Sequence, residues 1–214
     1  MTVIQNFYIT RAVKSKKTIL ITGHKGYLGS GLCDQLSQDN NIIRYVGDVR
    51  TITPYTNIDM VIHMAGPSDI YDFTDTEKTS TTIIDGTINL LNIARSNNCK
   101  FVFASTLGVK YIESTDDIYL TCKLAMENYI KSSYNNYIIL RIPRVYSKCR
   151  TKGLMKQIRD MTVPSEDDDT AIEFITKDQF IYQTRAILHK QNITHEYNIH
   201  NNKTIGQIKQ WILT

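Results

Sequence analysis

The feature that most narrows what this chain can fold into is Thr18-Ile19-Leu20-Ile21-Thr22, followed at once by Gly23-His24-Lys25-Gly26-Tyr27-Leu28-Gly29. The first five residues form a short, β-branched apolar run of the kind found in a buried parallel strand. From Gly26 to Gln38, Tyr27, Leu28, Leu32 and Leu36 recur at helical spacing. A strand that turns through glycines into a helix is an anion cradle. The glycines permit a tight turn and close backbone approach, and the free N–H groups and dipole of the helix start favour negative charge. The spacing is GxxGxxG rather than GxGxxG, and the Lys-Ser/Thr of a P-loop is missing. Taken alone, such a loop is as readily a structural turn as a phosphate site.

The rest of the chain repeats the alternation. Strands are expected at Ile42 to Val46, Met60 to Ala65, Lys100 to Ala104 and Tyr137 to Arg141. Helices are expected at Thr87 to Arg95 and Tyr119 to Tyr134. That order predicts an α/β fold, a doubly wound, Rossmann-type parallel sheet with helices on both faces. After Pro143 the rhythm changes. Phe180 to Lys190 and Ile205 to Ile212 look helical, Tyr197-Asn198-Ile199 looks like a strand, and Glu166-Asp167-Asp168-Asp169 reads as a solvated loop. The division expected is an N-terminal extension over 1–17, a dinucleotide-binding core over 18–147 and a short substrate-covering portion over 148–214 packed on the core.

Composition excludes several classes. No apolar run reaches the roughly 18 residues that span a bilayer, and Met1 to Lys17 lacks the features of a secretory signal. A cytoplasmic protein that binds no membrane is expected. The net charge of +4 is mild and its basic residues are scattered, which argues against nucleic acid. Cys33, Cys99, Cys122 and Cys149 form no CxxC pair and have no histidine at ligand spacing, so free thiols and no metal site are expected.

A second constellation carries chemistry. Tyr119 and Lys123 stand four apart at the start of a helix, so both project from one face. A phenol titrates near 10, and a neighbouring ammonium pulls that value towards neutrality. The plainer reading is an exposed tyrosine and lysine on a helix surface. Upstream, Phe101-Val102-Phe103-Ala104 runs into Ser105-Thr106, which places hydroxyls at the C-terminal end of a strand. Open parallel sheets bind ligands at that edge. Those hydroxyls serve either a substrate oxygen or the capping of a turn.

With these residues together, the chain resembles the extended short-chain dehydrogenases/reductases of the NAD-dependent epimerase/dehydratase family. The likeness runs from about Thr18 to the C-terminus. It rests on Gly23, Gly26 and Gly29, on Ser105-Thr106, and on Tyr119-Leu120-Thr121-Cys122-Lys123. Val61-Ile62-His63-Met64-Ala65, Gly86-Thr87-Ile88-Asn89-Leu90-Leu91 and Leu140-Arg141-Ile142-Pro143-Arg144-Val145-Tyr146 add to it. The resemblance implies that Tyr119 is the general acid/base and that Lys123 tunes it and binds the nicotinamide ribose. It implies that Thr106, with Ser105 beside it, orients the substrate. The cofactor would be held by Gly23, Lys25, Gly26, Tyr27, Leu28, Gly29, Asp48, Arg50, Ala65, Gly66 and Pro143 as well as by Tyr119 and Lys123. Asp48 matches an acidic residue that holds an adenosine ribose in NAD enzymes. Lys25 and Arg50 resemble the basic residues that take the 2′-phosphate of NADP in GDP-L-fucose synthases, so NADP is expected ahead of NAD.

The resemblance also implies a nucleotide-sugar substrate and a homodimer formed through two helices per subunit. Leu107-Gly108 replaces the Asp-Glu of the dehydratases, and Leu107 replaces the cysteine of the fucose synthases. A keto-sugar reductase or C4-epimerase therefore remains. Ile83 stands where the family often has asparagine. Two other readings stay open: a catalytically weak dinucleotide-binding module or partner subunit, and a reductase of small non-sugar carbonyls.

Overall fold

A computed structural model describes residues 15–67, 75–112, 117–147, 153–198 and 203–213. Most of the expected N-terminal extension (1–14), Cys149 and Ile199 lie outside them. Six strands build the central sheet: β1 (Thr18–Thr22), β2 (Asn41–Arg44), β3 (Met60–His63), β4 (Lys100–Thr106), β5 (Tyr137–Ile142) and β9 (Ile193–Glu196). They lie in the order β2-β1-β3-β4-β5-β9, and every pairing is parallel. Strands covered on both faces need apolar side chains on both. β3 is accordingly buried at all four positions, whereas β2, at the edge, exposes Asn41 and Arg44.

Helices cover each face. α1 (Tyr27–Leu36) and α5 (Lys177–Ile187) pack on one side, where Leu32, Leu36, Phe180 and Ile187 meet Ile19, Ile21, Ile62 and Ile138. α2 (Thr76–Ser96) and α3 (Ile118–Ser133) pack on the other, where Ile83, Leu90 and Ile130 meet Leu20, Val61, Phe101 and Phe103. The expected doubly wound parallel sheet is the fold observed.

The most informative differences from expectation fall in α2, the last sheet strand and the acidic run. α2 begins at Thr76, well ahead of the expected start at Thr87. Its first half, Thr76-Glu77-Lys78-Thr79-Ser80-Thr81-Thr82, is poor in helix formers. The Asp75 side chain caps it at the Lys78 N–H, and burial of Thr79 and Ile83 holds it on the sheet. The last sheet strand runs over Ile193–Glu196, ahead of the expected Tyr197-Asn198-Ile199. As an edge strand with one partner it tolerates the polar Thr194-His195-Glu196, and Tyr197 instead buries its ring beside Phe180 and bonds Thr184 Oγ1 at 2.7 Å. In the acidic run, Ser165–Asp167 forms a 3₁₀ turn and Asp168 is bound by Lys209 at 2.5 Å, so the run is tethered where a free loop was expected.

Five short elements carry no periodicity long enough to read: β6 (Arg144–Tyr146), α4 (Gly153–Arg159), β7 (Ala171–Ile172), β8 (Phe174–Thr176) and β10 (Lys203–Thr204). With α6 (Ile205–Leu213) they form a small core around Tyr146, Met155, Ile158, Phe174 and Ile208. Trp211 stacks on Tyr146 with centroids 4.2 Å apart. β6 pairs with β8, which places this cluster directly after the C-terminal end of β5.

Among the described residues no helix is long and apolar enough to cross a membrane. Among them, too, no group of three His, Cys, Asp or Glu could hold a metal ion. Cys33, Cys99 and Cys122 are free and buried.

Candidate active site

The chain leaves β1 for β2 on one side and later returns to β3 on the other, which opens a crevice at the C-terminal ends of β1 and β3. Gly23 turns the chain there with φ +70, a conformation that favours glycine. A Cβ on Gly29 would lie 2.2 Å from the Gly23 carbonyl oxygen, which is backbone and cannot swing aside. Glycine is therefore required for α1 to start this close to the loop. Helices α2, α3 and α5 each receive a side-chain cap, from Asp75, Asp117 and Thr176, while α1 starts from Gly26 with none. No acidic residue stands in its first turn. The start of α1 thus lacks the side-chain cap its sister helices have, and it opens on the crevice with no carboxylate in its first turn.

From this turn a cleft of about 700 Å³ extends over the sheet edge. Gly23, Lys25, Gly26, Tyr27, Leu28, Gly29, Ala65, Gly66, Ser105, Thr106, Tyr119, Lys123 and Pro143 all line it, so thirteen expected site residues come together. Asp48 and Arg50 do not. They border a neighbouring depression of about 500 Å³ with Asp75, Glu77, Lys78 and Asp85. There Arg50 Nε donates to Asp48 at 2.9 and 3.0 Å and Nη2 donates at 2.5 Å. Hydrogen bonds from Arg50 hold the Asp48 carboxyl below its ordinary range.

Asp117 accepts from the Leu120 N–H and so starts α3, which sets Tyr119 in its first turn and Lys123 one turn later. The Lys123 Nζ donates to the Ala104 carbonyl at 2.8 Å and sits 4.7 Å from the Phe103 ring centroid and 5.8 Å from that of Tyr119. Burial pulls the ammonium down to about 8, against the opposing pull of Glu127. Burial also pushes the Tyr119 phenol up to about 12, with the Asp117 carboxylate adding to it. This corrects the expectation that Lys123 draws Tyr119 towards neutrality. Burial of the phenol outweighs a cation whose nearest bond is to a backbone carbonyl.

The two hydroxyls separate. Ser105 Oγ donates to Glu127 Oε1 at 2.7 Å within the protein. Thr106 Oγ1 accepts from the Gly108 N–H at 3.2 Å, starting a 3₁₀ turn over Leu107–Tyr111, and its own proton remains available to a ligand. Of the expected alternatives, the turn cap is made at Thr106, whose side chain also lines the cleft.

Sequence reasoning passed over three participants. Arg144 lines the cleft from β6, and its place directly after Pro143 at the end of a sheet strand was the available signal. His63, buried at the end of β3, bonds Thr22 Oγ1 at 2.9 Å, and Thr22 Oγ1 accepts from the Ala65 N–H at 3.2 Å. That chain of bonds fixes the loop facing Gly23. Glu127 stands at i+4 from Lys123 and shares its face of α3.

Three cations, Lys25, Lys123 and Arg144, line the main cleft, and among the described residues no carboxylate does. A glycine cradle without a side-chain cap, opening into a cationic cleft at the switch point of a parallel sheet, defines a dinucleotide-binding α/β protein. The profile of the NAD dependent epimerase/dehydratase family matches residues 19–163, and the chain belongs to that family.

UDP-glucuronic acid decarboxylase 1 of Danio rerio is 29% identical over 123 residues, covering 45% of this chain and 29% of that protein. The match thus spans under a third of this curated relative. Among solved structures, UDP-glucose 4-epimerase of Thermus thermophilus in complex with NAD superposes with TM-score 0.74 at 18% identity. That match covers 91% of this chain and 82% of the epimerase. The dTDP-4-dehydrorhamnose reductase of Bacillus anthracis in complex with NADP gives TM-score 0.77 at 18% identity, covering 93% and 80%.

Proposed function

We propose that this chain reduces or C4-epimerises a nucleotide-linked sugar with a nicotinamide dinucleotide, Tyr119 serving as the acid/base. The observation that carries the reading is the single cleft joining the start of α1 to Thr106, Tyr119 and Lys123, its charged lining made of cations alone. The cradle fits a pyrophosphate, since the positions where a Cβ would obstruct the turn are glycines. When bound, the dinucleotide would supply or take up the hydride.

The chain's own residues would manage the proton. A phenol raised to about 12 rests protonated at neutral pH, so Tyr119 is set to donate a proton to a carbonyl oxygen as that carbon is reduced. The phenolate left behind would be stabilised by the Lys123 ammonium on the same helix face. Thr106 would orient the substrate oxygen through its free hydroxyl proton. Elimination of water needs an additional acid/base, and the described cleft lining offers no Asp or Glu, which supports single-carbon chemistry over dehydration. The names of all three relatives above contain a nucleotide-linked sugar or its acid, and Arg144 suits a further diphosphate.

Lys25 and Arg50 favour NADP through the 2′-phosphate they would meet. A second reading, NAD, is favoured by Asp48, Asp75, Glu77 and Asp85 around the neighbouring depression, which repel a phosphate dianion. We take the protein to be cytoplasmic and a homodimer, as its resemblance implies.

The test is a thermal-shift screen of nucleotide sugars with NADPH and NADH, followed by turnover of the stabilising pair. Tyr119→Phe should keep dinucleotide affinity within about twofold and lower kcat by roughly 100-fold or more. Unchanged turnover would remove Tyr119 from the mechanism. Dinucleotide binding with no turnover across the panel would favour the binding module instead.

A further inference from the structure

We propose that Glu127 is a positioning residue of this site: its buried carboxylate holds the end of β4 through Ser105, one helical turn from the Lys123 that it supports. The geometry is a double grip. Lys123 and Glu127 lie one turn apart on the same face of α3, and they hold consecutive residues of β4. Lys123 Nζ donates to the Ala104 carbonyl at 2.8 Å, and Glu127 Oε1 accepts from the Ser105 hydroxyl at 2.7 Å. The next residue is Thr106, so the register of the substrate-facing hydroxyl against Tyr119 and Lys123 is set by this pair.

Glu127 is fully buried, and its remaining acceptor positions are filled. Arg141 of β5 donates through Nε at 3.0 Å and Nη2 at 2.7 Å, and Lys131 approaches to 3.3 Å. Burial works against the carboxylate, but the bonds from Arg141 and Ser105 outweigh it and hold Glu127 below the usual range. Arg141 continues to Glu196 of β9 at 3.1 Å, and Glu196 to Lys110 at 2.8 Å. A line of alternating charge thus ties the catalytic helix to the sheet and to its last strand.

Buried ion pairs add little stability compared with apolar packing, so fold stability alone is a weak reason for this one. Lys123 gives a stronger reason. Tyr119 and Cys122 face it from its own helix and His63 from β3, all neutral groups at neutral pH, and Arg141 and Lys131 beyond Glu127 are cationic. Glu127 is the anion that opposes its desolvation. Without it, the ammonium would lose its proton near neutrality and could no longer stabilise a phenolate. This step rests on the function proposed above.

The test needs neither substrate nor cofactor. In protein labelled with ¹³C,¹⁵N-lysine, the Lys123 Cε signal, identified by its loss in Lys123→Arg, is followed against pH. The wild-type midpoint is expected at about 8. In Glu127→Gln it should fall by about one pH unit, and Glu127→Asp should recover at least half of that. Because Glu127→Gln leaves Arg141 uncompensated, Glu127→Gln/Arg141→Gln is measured beside it, with a smaller fall expected because a like charge leaves with the anion. An unchanged midpoint in either folded variant overturns the proposal. So does failure of the neutral double variant to fold, since the pair would then be a folding element. Either result leaves the enzyme reading standing, whereas that reading fails on loss of dinucleotide binding, which this titration does not report.

Discussion

His63 makes the loop facing the glycine turn sensitive to acid, by an amount that can be worked out. The ring is buried between Thr22 and Phe103, with Nδ1 bonded to the Thr22 hydroxyl and Nε2 without a hydrogen-bond partner among the described residues. Burial first, and the Lys123 charge second, lower its pKa from 6.5 to about 3. The unfolded chain therefore binds one more proton than the folded chain between these two values. The contribution is complete above about pH 6.5 and is lost as pH falls towards 3, at about 1.36 kcal/mol per pH unit. Between about pH 7 and about pH 4.5 the loss is on the order of 2–3 kcal/mol, a large share of a typical domain's stability. Other groups also take up protons as the pH falls, so the comparison is with His63→Asn, whose amide oxygen can accept the Thr22 hydrogen bond without titrating. Urea unfolding at the two pH values should show wild type losing on the order of 2–3 kcal/mol more than the variant. Parallel losses would refute the claim that a neutral, buried His63 holds this loop.

Gly29→Ala should weaken dinucleotide affinity roughly tenfold or more, since its Cβ would fall 2.2 Å from the Gly23 carbonyl and must displace the loop; equal affinity in a fluorescence titration would count against the cradle. Lys25→Ala with Arg50→Ala should weaken NADPH more than NADH, by roughly tenfold, if a 2′-phosphate is held there. Equal losses would favour NAD and the ribose role of Asp48.

How legible all this was in the sequence depends on how far each signal reaches. Central strands such as Thr18–Thr22 and Lys100–Thr106 announced themselves because burial on both faces demands unbroken apolar runs. The glycine turn and the Tyr119–Lys123 spacing were equally plain, being local patterns fixed by backbone geometry. The front half of α2 was hidden by its threonines, whose weak propensity is overridden by packing on the sheet. The separation of Arg50 from the main cleft, and its capture by Asp48, depend on how the turn after β2 settles. Glu127 was within reach at i+4 from Lys123, but Ser105, Arg141 and Glu196 stand far from it along the chain and join its network only through the sheet. Likewise the upward shift of Tyr119 comes from its burial in the fold, because the sequence shows the lysine but not the packing around the phenol.

The most direct check is a titration of the chain with NADPH and NADH, followed by nicotinamide fluorescence and run beside Lys123→Ala. Saturable binding of one dinucleotide per chain, weakened when the lysine side chain is removed, is the expected result. Failure of both dinucleotides to saturate, or identical curves for the two proteins, would contradict a nicotinamide seated between the first helix and the tyrosine.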